Sequence, residues 1–256
     1  MSKTEMENNK VKDLVNTYHY LNNKTSLYEV KENEILTIID VIDMNVELQR
    51  ELKVANNATL NYIKIGKSKN SSTIDYTNTL GKDATLNIFF FDFESSINRV
   101  RSELKNDTAS ININALIDLK DDAKVEYDIK TNHKIKSFSD ISFTNLLSGK
   151  SSAKLNLFSI VEKTASFSKA FQNSKTILLS DDSFINVNPH LEIDIDELEA
   201  SHGATCGDLD EDSIYYLESR GISRKKAKKI LLNALKNELY QSLDNKDLSE
   251  YVKGLI

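Results

Sequence analysis

The feature that most constrains the fold is an alternation of apolar and polar residues with a period of two. In the clearest stretch, Ile111, Ile113, Ala115, Ile117 and Leu119 alternate with Ser110, Asn112, Asn114, Leu116 and Asp118. Successive side chains of a β-strand point to opposite faces, so one face of this segment is apolar and the other is mostly polar. Shorter runs with the same period recur between residues 32 and 196. The pattern therefore predicts a chain built mainly of short strands.

The openings of these runs form a weak repeat. Each has a polar turn, a small residue and an apolar strand start, and the small residues are Ala58, Ala84, Ala109, Ala123 and Ala153. Repeated strands without intervening helices predict a parallel β-solenoid, or β-helix, in which each coil buries its apolar face against its neighbours. A β-sandwich stays open as the alternative, because it also produces short alternating strands.

Both ends of the chain have a helical pattern. Apolar residues spaced along 5–22 predict one short amphipathic helix. After Gly207 we expect a helix capped by Asp210 and ending at Gly221, a second helix capped by Ser223, and a short last helix over 247–255. The expected organisation is an N-terminal helical segment (1–30), a β-helix core (31–207) and a C-terminal helical region (208–256).

Five cations crowd the first turns of the second C-terminal helix: Arg224, Lys225, Lys226, Lys228 and Lys229. They stand at the end of the helix dipole that disfavours positive charge. Two explanations stay open, a solvated charged face and a surface for an acidic partner.

Composition excludes several classes of function. The formal net charge of −6 argues against nucleic-acid binding, which needs a basic face. We expect a cytoplasmic protein without a membrane span, because no apolar leader or long apolar window is present. The single cysteine, Cys206, permits no intrachain disulfide. No phosphate-binding loop, Ser-His-Asp set or paired-carboxylate motif is visible, so we expect no enzymatic activity.

The stretch from 133 to 240 resembles the shared core of the SufB/SufD family of iron–sulfur cluster assembly. The most specific part is 191–222, LEIDIDELEASHGATCGDLDEDSIYYLESRGI, which is similar to the family's LEI, SHGAT, LDE and YL-SRGI pattern. The further matches occur upstream in the family's order: His133, Asn145-Leu-Leu-Ser-Gly149, Phe171-Gln172, Ile177-Leu-Leu-Ser180 and Pro189-His-Leu-Glu-Ile193. The N-terminus and residues 30–80 match poorly.

The resemblance implies a fold and a role. Members of the family are right-handed parallel β-helices with helical ends, they dimerise through the β-helix, and they bind the SufC-type ABC ATPase through the C-terminal helices. ATP would then act only through the partner ATPase. The residues that we expect to dock the ATPase come from the YL-SRG match and from the apolar stripe of the second helix: Tyr215, Tyr216, Arg220, Leu231, Leu235 and Tyr240.

The chain resembles SufD more than SufB. SufB-like chains have FYC before the RG turn, whereas this chain has Tyr215-Tyr216-Leu217 and no thiol. The SHGAT form around His202 is also SufD-like. The resemblance implies that His202 is a ligand for a nascent, transient iron–sulfur cluster. The alternative is a histidine that only satisfies hydrogen bonds in a tight glycine-flanked turn.

Cys206 lies four residues after His202, and thiolate and imidazole are ligands that iron uses. The alternative is a small buried hydrophobe. One chain offers only these two ligands, so a cluster would be shared across an interface with a SufB-type paralogue or with a second copy. A homodimeric scaffold using His202 and Cys206 of both chains therefore stays open. A purely structural SufD-like subunit without metal contact stays open as well.

Five acidic residues precede His202 in alternation: Glu192, Asp194, Asp196, Glu197 and Glu199. Carboxylates can attract ferrous iron, although an acidic strand face is more often simply solvated. A β-solenoid enzyme acting on polysaccharide is the remaining class. It would need a carboxylate cluster and aromatic platforms, and the chain has no Trp.

Overall fold

The computed structural model describes residues 17–20, 25–69, 71–243 and 245–255. Fifteen strands and three helices occupy these residues. The strands are β1 Thr17–Tyr20, β2 Thr25–Val30, β3 Ile35–Ile42, β4 Glu47–Val54, β5 Thr59–Gly66, β6 Ser72–Leu80, β7 Thr85–Asp92, β8 Ser96–Leu104, β9 Ser110–Leu119, β10 Lys124–His133, β11 Phe138–Leu147, β12 Ser152–Val161, β13 Lys169–Leu178, β14 Phe184–Ile193 and β15 Glu199–Gly207. The helices are α1 Glu211–Ser219, α2 Arg224–Gln241 and α3 Lys246–Leu255.

The strands form two parallel sheets that wind as a β-solenoid. The odd-numbered strands make an eight-stranded sheet, here sheet A, and the even-numbered strands make a seven-stranded sheet, here sheet B. Every neighbouring pair in the described sheets is parallel and two positions apart in strand order. Each coil therefore contributes one strand to each sheet. This confirms the predicted mainly β solenoid and excludes the β-sandwich.

The alternation of residues creates the core. Along β9, Ile111, Ile113 and Ile117 point into the space between the sheets and are fully buried. The matching positions of the other coils form one continuous apolar cluster inside the solenoid, here called the lumen. Burying this surface on successive coils is the main favourable contribution to folding.

The weak alanine repeat marks the corners of the coils. Ala58, Ala84 and Ala109 are buried immediately before strands of sheet A, whereas Ala123 and Ala153 are buried at the openings of sheet B strands. The intervals between these alanines therefore correspond to full coils in some cases and to a half coil between Ala109 and Ala123. The coils also lengthen, from 24 residues between Thr37 and Asn61 to 32 residues between Asn156 and Asn188. Both effects hide the repeat in the sequence.

A residue with a left-handed backbone conformation forms the turn before each of the corners at Ala58, Ala84 and Ala109. Asn57, Asp83 and Thr108 have φ angles of 56°, 55° and 59°. Asn and Asp tolerate this conformation better than most residues, and the alanine that follows leaves room at the tight corner. The polar turn and small residue seen in the sequence are therefore a requirement of coil geometry.

Aromatic side chains fill the lumen of the N-terminal and central coils. They form a zigzag between the two sheets with neighbouring ring centroids 5.0 to 5.9 Å apart: Tyr28, Tyr62, Tyr76, Phe90, Tyr127 and Phe143. Most neighbouring rings meet edge to face, which is a favourable arrangement of their quadrupoles. Burial raises the pKa of the Tyr62, Tyr76 and Tyr127 hydroxyls well above the ordinary value.

The C-terminal helices lie on the outer face of sheet A. The outward-facing residues of its strands, among them Ile63, Phe89 and Phe91, form a second apolar cluster with Ile214 of α1 and Val252 of α3. Lys236 of α2 forms an ion pair with Asp118 of β9. The helices are therefore packed along the solenoid over much of its length.

The helix ends agree with the sequence signals. The Asp210 carboxylate accepts a hydrogen bond from the Ser213 backbone N–H at 3.0 Å, so it caps α1. Gly221 after α1 has a φ of 81°, in the left-handed region that favours glycine. Ser223 occupies the position before α2 but makes no side-chain capping bond.

The N-terminal prediction is wrong where it can be compared. Thr17–Tyr20 forms β1 and pairs with β3, and Thr25–Val30 forms β2 and pairs with β4. Most of the predicted helix over 5–22 lies outside the described residues. The predicted boundary at residue 31 is too late, because β2 already belongs to the solenoid. In β2 the alternate residues Tyr28 and Val30 are buried, which fits a strand.

Candidate metal centre at the last coil

The last coil has an open end. β14 and β15 are the terminal strands of sheets B and A, and each pairs with one strand on one side only. Along β15 nearly every residue is exposed, whereas the preceding strand β13 buries every second side chain. Nothing in the described chain covers the far side of this coil. The edge is therefore available for pairing with another chain.

His202 and Cys206 belong to the row of residues that lines the lumen in the preceding coils. β15 lies in register on β13, with His202 next to Gln172, Ala204 next to Ser174 and Cys206 next to Thr176. The three β13 residues are inward-facing and at most 2% exposed. Neighbouring residues in a parallel ladder share one face, so His202 and Cys206 continue this inward row. Both are exposed because no further coil follows.

Two alternatives from the sequence are wrong. His202 lies within a strand rather than a tight turn, and its side chain makes no hydrogen bond to a described residue. Cys206 is exposed, so it is not a small buried hydrophobe. Both side chains are free to contact a ligand. Their roles as metal ligands stay predictions.

One chain does not bring both residues to one metal ion. A strand rises ~3.3 Å per residue, so side chains four positions apart on one face stand ~13 Å from each other. Iron and zinc ligands lie about 2 Å from the metal, which leaves this gap unspanned. Among the described residues there is also no group of three or more His, Cys, Asp and Glu side chains that could hold a metal ion. A complete site therefore needs side chains from another chain.

The acidic residues do not form one strand face. β14 ends at Ile193, and residues 194–198 form the connection to β15. Glu199 opens β15 and pairs with Lys169 at 2.9 Å. The expected alternation along a single strand is therefore wrong, and only Asp194, Asp196 and Glu197 are exposed in the connection between the strands.

Tyr215, Tyr216 and Arg220 present an exposed surface on and just after α1. The two tyrosines are 74% and 57% exposed. The Arg220 guanidinium lies over the Tyr216 ring, 5.1 Å from its centroid. A cation above an aromatic face holds both side chains in place without burying them. Their expected contact with an ATPase stays a prediction.

Tyr240 has an internal role that the sequence did not indicate. Its ring stacks on Phe91 with centroids 5.2 Å apart, and the residue is 7% exposed. Burial raises the pKa of its hydroxyl to about 12. Leu231 and Leu235 are also partly buried against the same cluster. The expectation that Tyr240 offers a docking surface is therefore corrected, because α2 turns this residue toward its own sheet.

The cations at the start of α2 divide into two groups. Arg224 forms an ion pair with Glu211 of α1 at 2.6 Å, which ties the two helices together. Lys225, Lys226, Lys228 and Lys229 are exposed. Only the four lysines remain available for an acidic partner.

Sequence reasoning missed the buried charges of the lumen. Asp40 pairs with Arg50 at 2.8 Å and accepts a hydrogen bond from Tyr62, and all three side chains are buried. Lys64 pairs with Asp92 in the same manner. A signal was present, because Asp40 and Lys64 occupy inward positions of alternating apolar strands. A charge at such a position needs a buried partner.

The sequence identified His133 only as part of a motif. The structure places its ring among hydrogen-bonding side chains inside the solenoid. Its two ring nitrogens lie 2.8 Å from Ser137 Oγ and 2.9 Å from Ser139 Oγ, in the lumen. Burial lowers the pKa of the imidazole to about 4. The ring is therefore neutral, and both of its nitrogens have partners inside the protein.

The fold and the last coil define a β-solenoid with C-terminal helices packed against one sheet. The SufBD core domain of the SUF system for iron–sulfur cluster assembly matches residues 20–235. The chain belongs to this family. No helix in the described part of the chain is both long enough and apolar enough to cross a membrane.

Known relatives match over limited regions. The chloroplastic protein ABCI7 of Arabidopsis thaliana is 31% identical over 100 residues, which are 38% of this chain and 21% of that protein. The iron–sulfur cluster assembly protein SufD of Escherichia coli is 38% identical over 72 residues, 28% of this chain and 17% of the relative. SufD of Bacillus subtilis is likewise 38% identical over 72 residues, 28% of this chain and 16% of the relative. The chain thus matches only about a fifth of these proteins or less, and the SufD names agree with its motif.

Proposed function

We propose that this chain is a SufD-like scaffold subunit of a SUF complex in the cytoplasm. It has no enzymatic activity of its own and holds part of a site where an iron–sulfur cluster is built as cargo. The observation that carries the proposal is the open last coil, where His202 and Cys206 extend an otherwise buried row into solvent. Both are residue types that ligate iron.

The site is completed by a second chain at the exposed edges of β14 and β15. A SufB-type paralogue supplies the remaining ligands in the first arrangement, and a second copy of this chain supplies them in the alternative. The separation of ~13 Å between His202 and Cys206 along their strand supports a shared site in either case. The mass of the purified chain, alone and with a paralogue, distinguishes the two arrangements.

The C-terminal helices dock a SufC-type ABC ATPase, and ATP acts only through that partner. The exposed surface of Tyr215, Tyr216 and Arg220 supports this assignment, because aromatic residues and arginine dominate binding energy at interfaces. α2 and α3 are packed on sheet A, so a force applied by the ATPase would reach the solenoid directly.

Anaerobic reconstitution with iron and sulfide tests the cluster site. We expect the visible absorption of the cluster in the complete complex to be lost in the His202→Ala, Cys206→Ala double variant. His190→Ala is the matched control, because His190 is also exposed on the last coil but lies on the outer face of β14. Unchanged cluster loading in the double variant would leave only a structural SufD-like role.

A binding titration with the SufC-type ATPase tests the docking surface. Tyr216→Ala should weaken binding by about tenfold, which is the effect of losing an aromatic anchor worth more than 1 kcal/mol. Phe184→Ala is the control, since Phe184 is 61% exposed but lies on the last coil. Equal binding by wild type and Tyr216→Ala would remove this surface from the proposal.

A further inference from the structure

The inward row of β13, in the coil beneath the last one, carries polar groups whose hydrogen-bonding capacity is incomplete. Gln172 is 2% exposed, and its Oε1 atom has no hydrogen-bond donor among the described residues. Thr176 is also 2% exposed, and its Oγ1 accepts a hydrogen bond from Asn145 Nδ2 at 3.0 Å. The Thr176 hydroxyl donates no hydrogen bond to a described residue, and the same holds for Ser174, whose Oγ also accepts from Asn145 Nδ2 at 3.0 Å. A buried polar group without a partner is costly.

The orientation of the Gln172 amide is set by its surroundings. Its Nε2 lies 3.1 Å from the His190 backbone carbonyl and 2.8 Å from Ser159 Oγ. A carbonyl oxygen only accepts hydrogen bonds, so the atom facing it must be the amide nitrogen. The unpartnered atom is therefore the oxygen, which is an acceptor.

The two incomplete groups lie directly beneath the two candidate ligands. Gln172 is in register with His202, and Thr176 is in register with Cys206. Neighbouring strands of a sheet are ~4.8 Å apart, within reach of a side-chain hydrogen bond after a rotamer change. The acceptor, Gln172 Oε1, therefore lies beneath the His202 imidazole, which has an N–H to donate. The donor, the Thr176 hydroxyl, lies beneath the Cys206 sulfur, which is a weak acceptor.

We infer that Gln172 and Thr176 are positioning residues for His202 and Cys206. Gln172 Oε1 accepts a hydrogen bond from one ring nitrogen of His202, which orients the ring and leaves the other nitrogen unprotonated for iron. The Thr176 hydroxyl donates to the Cys206 sulfur and fixes the position of that side chain. Partners of this kind fix the tautomer and orientation of metal-binding side chains. The ligand roles of His202 and Cys206 rest on the proposed function, whereas the hydrogen bonds themselves do not.

The chain offers a matched control on the same strand. Ser174 lies between Gln172 and Thr176 on the inward row, and it is in register with Ala204, which has no polar side-chain atom. Ser174→Ala therefore removes an equally buried hydroxyl without touching either candidate ligand. Thermal unfolding and circular dichroism of each variant show that the fold is retained.

The hydrogen bond to His202 is tested by ¹⁵N NMR of the histidine rings in the metal-free full chain. In wild type we expect one tautomer of His202 to dominate. Gln172→Met should return the ratio toward that of free imidazole, and Ser174→Ala should leave it unchanged. A wild-type ratio equal to that of free imidazole, or no change in Gln172→Met, would overturn the inference for Gln172.

The effect on metal binding is tested in the complete complex with Co²⁺, whose charge-transfer absorption reports thiolate ligation. We expect Gln172→Met and Thr176→Val each to weaken Co²⁺ binding by about 10- to 100-fold, while Thr176→Ser and Ser174→Ala bind like wild type. Unchanged affinity in Thr176→Val would overturn the role of Thr176. If His202→Ala and Cys206→Ala also bind like wild type, the proposed function fails, and the NMR result still decides the role of Gln172.

Discussion

The N-terminal coils and the last coil have the same alternation of inward and outward residues, but the inward row is buried in the N-terminal coils and exposed in the last coil. In the N-terminal coils the inward row contains Tyr62, Lys64 and Asp92, and these side chains are fully buried. In the last coil the inward row contains His202 and Cys206, which are exposed. The strands have the same orientation and register in both regions. The difference is that a further coil covers the first region, whereas no further coil of the described chain covers the second.

This comparison shows how one repeat can supply both stability and a binding site. Inside the solenoid, a polar side chain must find its partner within the same chain, as Asp40 does with Arg50. At the open end, a polar side chain keeps its capacity for an external partner. The same row is therefore closed inside the solenoid and open at its end, without any change in local backbone geometry.

Removing one member of a buried ion pair should have the largest effect. Arg50→Leu leaves the Asp40 carboxylate buried without its cation, and we expect a loss of roughly 3–5 kcal/mol in the free energy of unfolding. Urea unfolding measures this loss. Arg99→Leu breaks the exposed Arg99–Asp75 pair on the outer face of the same sheet, and it should cost less than ~1 kcal/mol. Equal losses in both variants would contradict the closed state of the N-terminal lumen.

A substitution that disrupts packing on the outer face of sheet A should lower the stability nearly as much. Tyr240→Ala removes the ring that stacks on Phe91, and we expect a loss of about 3 kcal/mol in the free energy of unfolding. Hydrogen exchange should show faster exchange of the amides in α2 and α3. Tyr216→Ala on α1 is the control, and it should change stability by less than ~0.5 kcal/mol. Unchanged exchange in Tyr240→Ala would mean that the helices are held by other contacts.

The pH dependence of stability tests the central part of the lumen. The folded protein holds the pKa of His133 at about 4, below the ordinary value near 6.5, so the unfolded chain binds a proton more readily. The contribution of the neutral His133 ring to the free energy of unfolding is fully present above pH ~6.5 and is lost as the pH falls toward 4. The loss is at most about 3 kcal/mol.

Urea unfolding at a series of pH values measures this dependence. His133→Gln should flatten the curve between pH ~6.5 and 4, because the titrating ring is gone. His190→Gln, at an exposed histidine, should leave the curve unchanged. A steep curve in His133→Gln would assign the dependence to other groups.

The last coil should tolerate substitution with the smallest effect. His202→Ala should change the free energy of unfolding of the isolated chain by less than ~0.5 kcal/mol, since the side chain is exposed and unpaired in the described structure. Thermal and urea unfolding of the metal-free chain measure it. A loss above ~1 kcal/mol would show that the last coil is closed in solution, and the comparison between the two regions would fail.

The local pattern predicted much of the fold. The alternation around Ile113 predicted β9, and the polar turn with Asn57 and Ala58 predicted a corner of a coil. The helix predicted over 5–22 was wrong where residues are described, because Thr17–Tyr20 forms the strand β1. A short segment with few apolar residues fits both periods, and pairing with β3 decides between them.

The candidate site was predicted only as a set of residues. The motif identified His202, and Cys206 was added because it lies four residues away, but neither observation could place them ~13 Å apart on one face of a strand. The apolar stripe of the second C-terminal helix assigned Tyr240 to an external surface, whereas packing on Phe91 turns it inward. The proposed positioning residues Gln172 and Thr176 lie about thirty residues upstream, and only the register of β13 on β15 brings them beneath the two candidate ligands.

The sequence by itself determined the strand period, the corner residues, the helix ends at Asp210 and Gly221, and the family. These depend on residues close together in the chain, where backbone preference and side-chain alternation act directly. Only the tertiary structure decided which charges pair inside the lumen, which helix face is buried and which coil stays open. These depend on contacts between coils, and the uneven coil length means that the spacing along the chain does not reveal which side chains meet.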